Sequence, residues 1–559
     1  MARKDRFFMR EKEFCVVYLL RKHKRIRKWS KQIKKQSRDY KTPNEFNDES
    51  TWKNFNISVK VIIKAENLLE KAYPKTCKRH EIFHYHLKTD ECIQNAIKAT
   101  EIFGEIQERS ILVIGRAGIG KTVLTRKLMH EWKHSKEEFW QDKLVVLIRC
   151  CALKKGYNSV KDMLSECDKA SNQDFEQIYQ FIQVHPEKTL LLIDGVDELD
   201  NDELEQPYVK TVFTWLSDLV GGKLLPDATV LITSRPTAEN RYRMLPFDRT
   251  VEIVGFFDDQ IKKCVNKISI ENNDFSHQII NCIESSLELI CLCYIPANTK
   301  MICQILNENF RKELEVPKTI TEVYKRALIE FYNDPCENDM NEIKHIAYNR
   351  IDGRSLIYEK DASDPRILKT SSIFHEIPRT GVRLLFCFDH LTLQEFLAAK
   401  HVVEDEKNIE KFLEDNCKNP KWHLVIQFVA GLVGDMKRSE TNTKKLTKDI
   451  EQRFEKWISH LFRDDGDKAL GFLGMKCLYE MQDIDVIKSA CTKLNSTESN
   501  IVEIRNVSFT PLDSFNLCKF ISKCGHIEKI VLISCKFDKQ SCLELENNCP
   551  KRHGIIVKA

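Results

Sequence analysis

Eight consecutive residues, Gly115-Arg116-Ala117-Gly118-Ile119-Gly120-Lys121-Thr122, have the form G-x-x-x-x-G-K-T. Gly115 and Gly120 permit backbone angles and close approaches that a Cβ would block. Such a loop turns its N–H groups inward as a nest for phosphate oxygens. The helix that follows adds unpaired N–H donors and the positive end of its dipole. Lys121 supplies a cation for the outer phosphates, and Thr122 a hydroxyl for Mg2+. Gly115 to Val123 are therefore the candidate phosphate-binding residues for a purine nucleoside triphosphate. A second group, Asp194-Gly195-Val196-Asp197-Glu198, begins 73 residues after Lys121. Asp194 is placed to hold Mg2+, usually through water. Asp197 and Glu198 are candidates to orient an attacking water. Thr233-Ser234-Arg235-Pro236 offers a third feature. There, the Arg235 cation could reach a γ-phosphate and report its presence.

Chemistry of this kind needs a rigid frame, and the apolar runs supply one. Ile111-Leu112-Val113-Ile114 precedes the glycine loop, and Val123 to Met129 reads as the helix after it. Leu144 to Ile148, Leu190 to Ile193 and Thr229 to Thr233 are further short runs. Runs this apolar suit central strands of a parallel sheet covered on both faces. Val251-Glu252-Ile253-Val254 is expected to add an edge strand. Residues 51–105 read as helical, and residues 256–495 as mainly helical with a strand-rich interruption near Ser372–Phe388. In the last sixty residues, Ile501-x-x-Ile504 and Ile527-x-x-Ile530-x-Leu532-x-x-Cys535 share a period of 26. The second copy fits the leucine-rich pattern, whereas Asn506 breaks the first where an apolar residue is expected.

Composition bounds the remaining possibilities. The 559 residues suit roughly three to five domains. A hydrophobic content of 42% argues against wholesale disorder. The net charge of +5 is unevenly placed: residues 1–41 hold 16 Lys/Arg against 4 Asp/Glu, and the remainder is net acidic. This basic arm could meet nucleic acid, anionic lipid or an acidic partner; a solvated helix is the plainer reading. No apolar run approaches the ~20 residues of a membrane span. Phe14 to Leu20 is at the short limit for a signal sequence, and Arg21-Lys22-His23-Lys24-Arg25 stands where a cleavage site needs small residues. The 21 cysteines form no C-x-x-C pair, so they are expected to be reduced and mostly buried, without a zinc cage.

Taken together, Gly-Arg-Ala-Gly-Ile-Gly-Lys-Thr, Leu-Ile-Asp-Gly-Val-Asp-Glu-Leu and Thr-Ser-Arg-Pro, in this order and spacing, resemble the NACHT domain of NOD-like receptors. These are STAND-class P-loop NTPases. The likeness extends over roughly residues 105–495. Val254-Gly255-Phe256 resembles the exit from the nucleotide domain. Cys291 to Pro296 resembles the segment whose proline, here Pro296, packs against bound ADP. Pro317 to Tyr324 resembles the start of a winged-helix domain, and Phe428 to Leu432 a second helical domain. Phe388 to Ala399 is similar to the segment whose histidine, here His390, contacts the ADP β-phosphate. By itself His390 reads as a strand-to-helix histidine making a cap or core hydrogen bond.

The resemblance implies a multidomain α/β plus α architecture. The residues themselves give a basic N-terminal arm (1–45) and a helical region (46–105), where the chain departs from the family, and a P-loop NTPase parallel sheet (106–255) follows. A helical domain (256–318), winged helix (319–405), second helical domain (406–495) and short leucine-rich-repeat-like tail (496–559) complete it. It further implies a cytoplasmic ATP/ADP switch with Mg2+ in innate immune or stress sensing. Such a switch self-oligomerises on activation, hydrolyses ATP slowly as a reset, and signals through an adaptor that the sequence does not name. A continuously cycling ATPase or remodeller, and a non-signalling regulatory fragment, are the alternatives. No CARD, pyrin or death-domain pattern stands out in residues 1–100.

Overall fold

The computed structural model describes residues 59–62, 96–97, 99–103 and most of 108–558. The basic arm lies outside the described residues. Strands β1 (Val59–Ile62), β2 (Ala96–Ile97), β3 (Ser110–Ile114), β4 (Leu144–Arg149), β5 (Thr189–Asp194), β6 (Thr229–Ser234) and β7 (Arg249–Ile253) form one sheet among the described residues. Its order is β2-β1-β7-β3-β6-β5-β4. The five strands from β7 to β4 run parallel, whereas β1 lies antiparallel to β7 and β2 antiparallel to β1.

This departs from expectation in two places. Residues 59–62 and 96–97 are strands where helix is read from sequence. In consequence β7 is an interior strand, flanked by β3 and β1, and not an edge. Its Val251 and Ile253 are buried, as an interior position requires.

The apolar runs are continuous because both faces of the sheet are covered. Successive side chains of a strand point to opposite faces. Ile111 and Val113 of β3 enter one core, and Leu112 and Ile114 the other. Helix α1 (Lys121–His134) covers the first face with Leu124, Leu128 and Trp132, flanked by the short α2 (Glu138–Gln141). Helices α3 (Asn172–Val184) and α4 (Val212–Val220) cover the second with Ile178, Ile182, Trp215 and Leu216.

Beyond β7 the chain is helical. Helices α5 (Asp258–Ser269), α6 (Ser276–Glu284), α7 (Leu287–Cys293) and α8 (Pro296–Arg311) pack on one another. Pro296 opens α8, where its missing N–H costs nothing. Helices α9 (Ile320–Phe331) and α10 (Glu337–Asn349) follow. A small antiparallel sheet of order β8-β10-β9 comes next, built from β8 (Leu356–Tyr358), β9 (Phe374–Ile377) and β10 (Leu385–Phe388), with α11 (Pro365–Thr370) between its first two strands. The strand-rich interruption thus begins earlier than the Ser372 read from sequence. Helices α12 (Leu391–Glu404), α13 (Ile409–Asn416), α14 (His423–Arg438), α15 (Lys444–Ile458), α16 (Lys468–Met481) and α17 (Ile484–Lys493) form the next bundle. Tyr324, Phe396 and Phe428 meet at its centre with ring centroids 5.3–6.2 Å apart, tying α9, α12 and α14 together.

The tail is a parallel three-stranded sheet, β11 (Ile501–Arg505), β12 (Lys529–Ile533) and β13 (Gly554–Lys558), with α18 (Pro511–Ser522) between the first two strands. Its register corrects the sequence alignment. Ile501 stands opposite Lys529, an offset of 28 and not 26. A shift of two leaves every side chain on its own face, so the apolar pattern looked sound at either spacing. In the true register Asn506 corresponds to Ser534, and both have positive φ, +56° and +51°. Asn506 is therefore the residue that turns the chain out of β11. Its N–H donates to the Ile533 carbonyl at 3.0 Å. Asparagine tolerates this conformation better than the apolar residue the pattern called for.

Candidate functional site

The carboxyl ends of β3, β5 and β6 lie side by side, with Ile114 opposite Ser234 and the Gly115 N–H bonded to the Ser234 carbonyl at 3.0 Å. Open α/β sheets bind ligands at such strand ends. The loop from Gly115 turns through Gly118 (φ +70°) and Gly120 (φ +113°) into α1. The first turn of α1 brings the positive end of the helix dipole to this site, where it favours an anion. The Lys121 ammonium folds over the loop and donates to the carbonyls of Gly115 (2.8 Å) and Arg116 (3.1 Å). Thr122 is exposed at the same end, and Val123 is half-buried in the first turn. Ile119 is buried beneath the loop. Ala117 lies outside the described residues.

The acidic strand end is built as a small network. Asp194 is buried, and its Oδ1 accepts from the Thr233 hydroxyl at 2.7 Å. The same hydroxyl accepts from the Gly195 N–H at 2.9 Å. Thr233 thus aims one carboxylate oxygen and leaves the other for a different partner. Sequence reasoning passed over Thr233, although it sits beside the recognised arginine. Asp197 and Arg235 hold each other: Nε to Oδ2 at 2.8 Å and the Arg235 N–H to Oδ1 at 3.1 Å. Both were candidates for separate roles, yet the structure joins them. Glu198 shares the turn Val196–Glu198 with Asp197, but its side chain lies outside the described residues.

A third wall comes from the helical region. Tyr294, Ile295 and Ala297 lie against the glycine loop. A Cβ on Gly118 would stand 3.1 Å from Ile295 Cγ2 and 3.4 Å from Ala297 Cβ. Pro296 sits between those two neighbours, half-buried. Arg116 is buried, hydrogen-bonds the Tyr294 hydroxyl and stacks 5.4 Å from that ring's centroid. Gly255 makes this approach feasible. It has φ +80°, and a Cβ there would stand 2.1 Å from the Tyr294 carbonyl oxygen. Phe256 N–H then donates to that carbonyl at 2.8 Å. Nothing in the sequence around Tyr294 singles it out from its segment. His390 lies outside the described residues, between the end of β10 and the start of α12.

The donor set fits a nucleotide with Mg2+. Among the described residues no three His, Cys, Asp or Glu converge as a self-sufficient metal cage. Mg2+ needs none, since it is held by one or two carboxylates with phosphates and water. Thr122 and Asp194 are the groups that would hold it.

The five parallel strands, the glycine loop between β3 and α1, and Asp194 at the end of β5 define a P-loop nucleotide-binding protein. A family model described as the NACHT domain matches residues 109–272. NACHT, LRR and PYD domains-containing protein 12 of Homo sapiens is 24% identical, over 72% of this chain and 42% of its own length. NACHT, LRR and PYD domains-containing protein 3 is 26% identical in Bos taurus and 25% identical in Homo sapiens. Those matches cover 76% and 80% of this chain, and 45% and 47% of the relatives. Residues 109–272 thus match a NACHT domain, and the chain as a whole is similar to these NACHT, LRR and PYD domains-containing proteins. It spans less than half the length of these relatives.

Proposed function

We propose that the chain is a nucleotide-gated signalling switch of the NOD-like receptor type. One observation carries the reading most: Tyr294 to Ala297 seat on Arg116 and Gly118, so the phosphate loop is coupled to the helical region. Lys121 exchanges its two carbonyl partners for phosphate oxygens when nucleotide binds. Mg2+, when bound, supplies charge neutralisation at the outer phosphates. Asp194, aimed by Thr233, and Thr122 would hold it. Arg235, paired with Asp197, is placed to turn toward a γ-phosphate. Freed in that way, Asp197, with Glu198, is placed to orient a water for slow hydrolysis as a reset. His390 and Pro296 close over ADP in the resting form. This follows switch logic in which a γ-phosphate biases a bistable element.

The proposed layout is a nucleotide domain (106–255), helical domain (256–318), winged helix (319–405), second helical domain (406–495) and leucine-rich-like tail (496–559). The parallel β-α-β course of the tail supports its last member. Opening is proposed to lead to self-assembly in innate immune or stress signalling in the cytoplasm. No helix among the described residues is long and apolar enough to cross a membrane.

The test is the nucleotide that copurifies with the full chain, identified by mass. Retained ADP is expected from wild type. Lys121→Ala is expected to lose it, with ADP affinity down about 100-fold for two charge-assisted bonds. Wild type that retains no nucleotide and binds none on addition sinks the reading. Fast ATP turnover without any partner would replace the switch by a cycling ATPase.

A further inference from the structure

Among the described cysteines, two are covalently joined. Cys491, in α17, is bonded to Cys524, just beyond α18, with Cα atoms 5.2 Å apart across 33 residues. That separation is ordinary for a disulfide. It overturns the expectation that the cysteines are uniformly reduced. Both residues are buried, at 2% and 0% exposure. Among the free buried thiols, burial first of all pushes Cys303 and Cys477 well above the usual thiol range, helped by Cys293 and Cys264 at the first and by Glu480 at the second, so little thiolate forms there.

The bridge lies on a mechanical path to the loop. It ties the last helix before the tail to the C-terminal end of α18. Helix α18 in turn touches α7. Helix α7 ends at Cys293, immediately before Tyr294, whose hydroxyl meets Arg116, and Ile295, which abuts Gly118. The tail is also docked without the bridge. The Lys476 ammonium lies 3.7 Å from the buried Asp513 carboxylate, and Phe472 meets Phe509 edge-on at 5.5 Å. Breaking the bridge should therefore loosen the tail without unfolding it.

We propose that Cys491–Cys524 is a reversible oxidation site, a staple that fixes α18 against the helix backing the phosphate loop and slows nucleotide release while it is closed. The second half rests on the nucleotide reading. A triphosphate-dependent site works where nucleoside triphosphates are, in the glutathione-buffered interior, where protein disulfides are usually transient or sensing. Closure takes two thiols and one glutathione disulfide. The thiolate of one cysteine attacks the glutathione disulfide, forms a mixed disulfide and expels one glutathione thiolate. The second cysteine's thiolate attacks the protein sulfur of that mixed disulfide and expels the other glutathione. The cysteines lose two electrons and two protons, and two molecules of reduced glutathione carry them away. Because both residues are buried, exchange requires α17 and the tail to part briefly, so redox state reports docking.

The full chain is equilibrated at a series of glutathione ratios, acid-quenched, alkylated and digested. Bridged and alkylated Cys491 and Cys524 peptides are then counted by mass. A bridged fraction that titrates up and down with the ratio is expected. Both thiols alkylated at every ratio, or a bridge that no ratio opens, overturns the oxidation site. Release of a fluorescent ADP analogue is followed in the same samples and in Cys491→Ser and Cys524→Ser. The reduced chain and both variants are expected to release it about fivefold faster than the oxidised chain. The variants should be insensitive to glutathione. Equal rates in all forms, with the bridge verified, overturn the coupling. Absence of analogue binding in every form overturns the nucleotide reading and the coupling with it, and leaves the bridge titration to decide the oxidation site alone.

Discussion

The residues with the most influence on the site are those that hold others in place. Thr233 is one. Its hydroxyl bridges the Gly195 N–H and the Asp194 carboxylate, so Thr233→Val removes the group that aims Asp194. We expect Mg2+-dependent nucleotide affinity to fall while stability drops by only about 1–3 kcal/mol, the cost of stranding a buried amide. Titrating nucleotide binding against Mg2+, beside a denaturant melt, separates the two effects. Gly255 is another. Any Cβ there meets the Tyr294 carbonyl at 2.1 Å in a backbone conformation with φ +80°. Gly255→Ala is expected to cost about 2–4 kcal/mol, strain and overlap together, and to loosen Tyr294 from Arg116. A wild-type melting temperature would rule this out.

At the scale of elements, the joint between α9, α14 and α16 has unusual chemistry. Glu480 of α16 is fully buried and accepts from the N–H groups of Ile320 and Thr321, the Thr321 hydroxyl at 2.6 Å, and the Gln427 amide. It thus caps a helix begun 160 residues earlier in the chain. Burial pushes its carboxyl up to about 7, and the surrounding donors oppose that shift without cancelling it. A carboxyl raised in the folded state binds its proton more tightly there than in the unfolded chain. Its contribution is complete below the ordinary carboxylate range and is lost as pH rises through about 7. Glu480→Gln cannot titrate. The stability of wild type relative to Glu480→Gln should therefore fall as pH is raised from about 5 to about 8. Melting temperatures of both proteins across that window check the sign, and a constant difference refutes it. Gly431 belongs to the same joint, since a Cβ there would stand 2.2 Å from the Thr321 hydroxyl oxygen.

Over the whole molecule, the tail's attachment decides how far it can influence the nucleotide site. Removing one member of the buried Lys476–Asp513 pair should be costly, because a buried charge then loses its counterpart. Asp513→Ala is expected to destabilise by about 3–5 kcal/mol. It should also make the Cys491–Cys524 bridge easier to reduce, since exchange needs the tail to part. A bridge as resistant as in wild type would show that this pair does not govern docking.

Whatever depends on neighbours in sequence was legible. A G-x-x-x-x-G-K-T run between a strand and a helix sets its own backbone course, so Gly115 to Val123 and Asp194 announce phosphate and metal chemistry unaided. Runs such as Leu190 to Ile193 announce a strand buried on both faces, because alternate side chains must each find a core. Partnerships across the chain were not legible. Arg116 meets Tyr294 178 residues away, and Asp194 meets Thr233 39 residues away. Arg235 and Asp197 read as two separate functional groups and proved to be one ion pair. The offset of 28 in the tail was hidden because a two-residue slip preserves the face of every side chain. Cysteine pairing and the antiparallel strands at Val59–Ile62 and Ala96–Ile97 depend on which surfaces come to lie together. By itself, then, the sequence determined that this loop has the backbone course of a phosphate-binding loop, because local spacing dictates local backbone. Only the tertiary structure decided what grips the loop from outside, because those contacts are made by packing residues far apart in the chain.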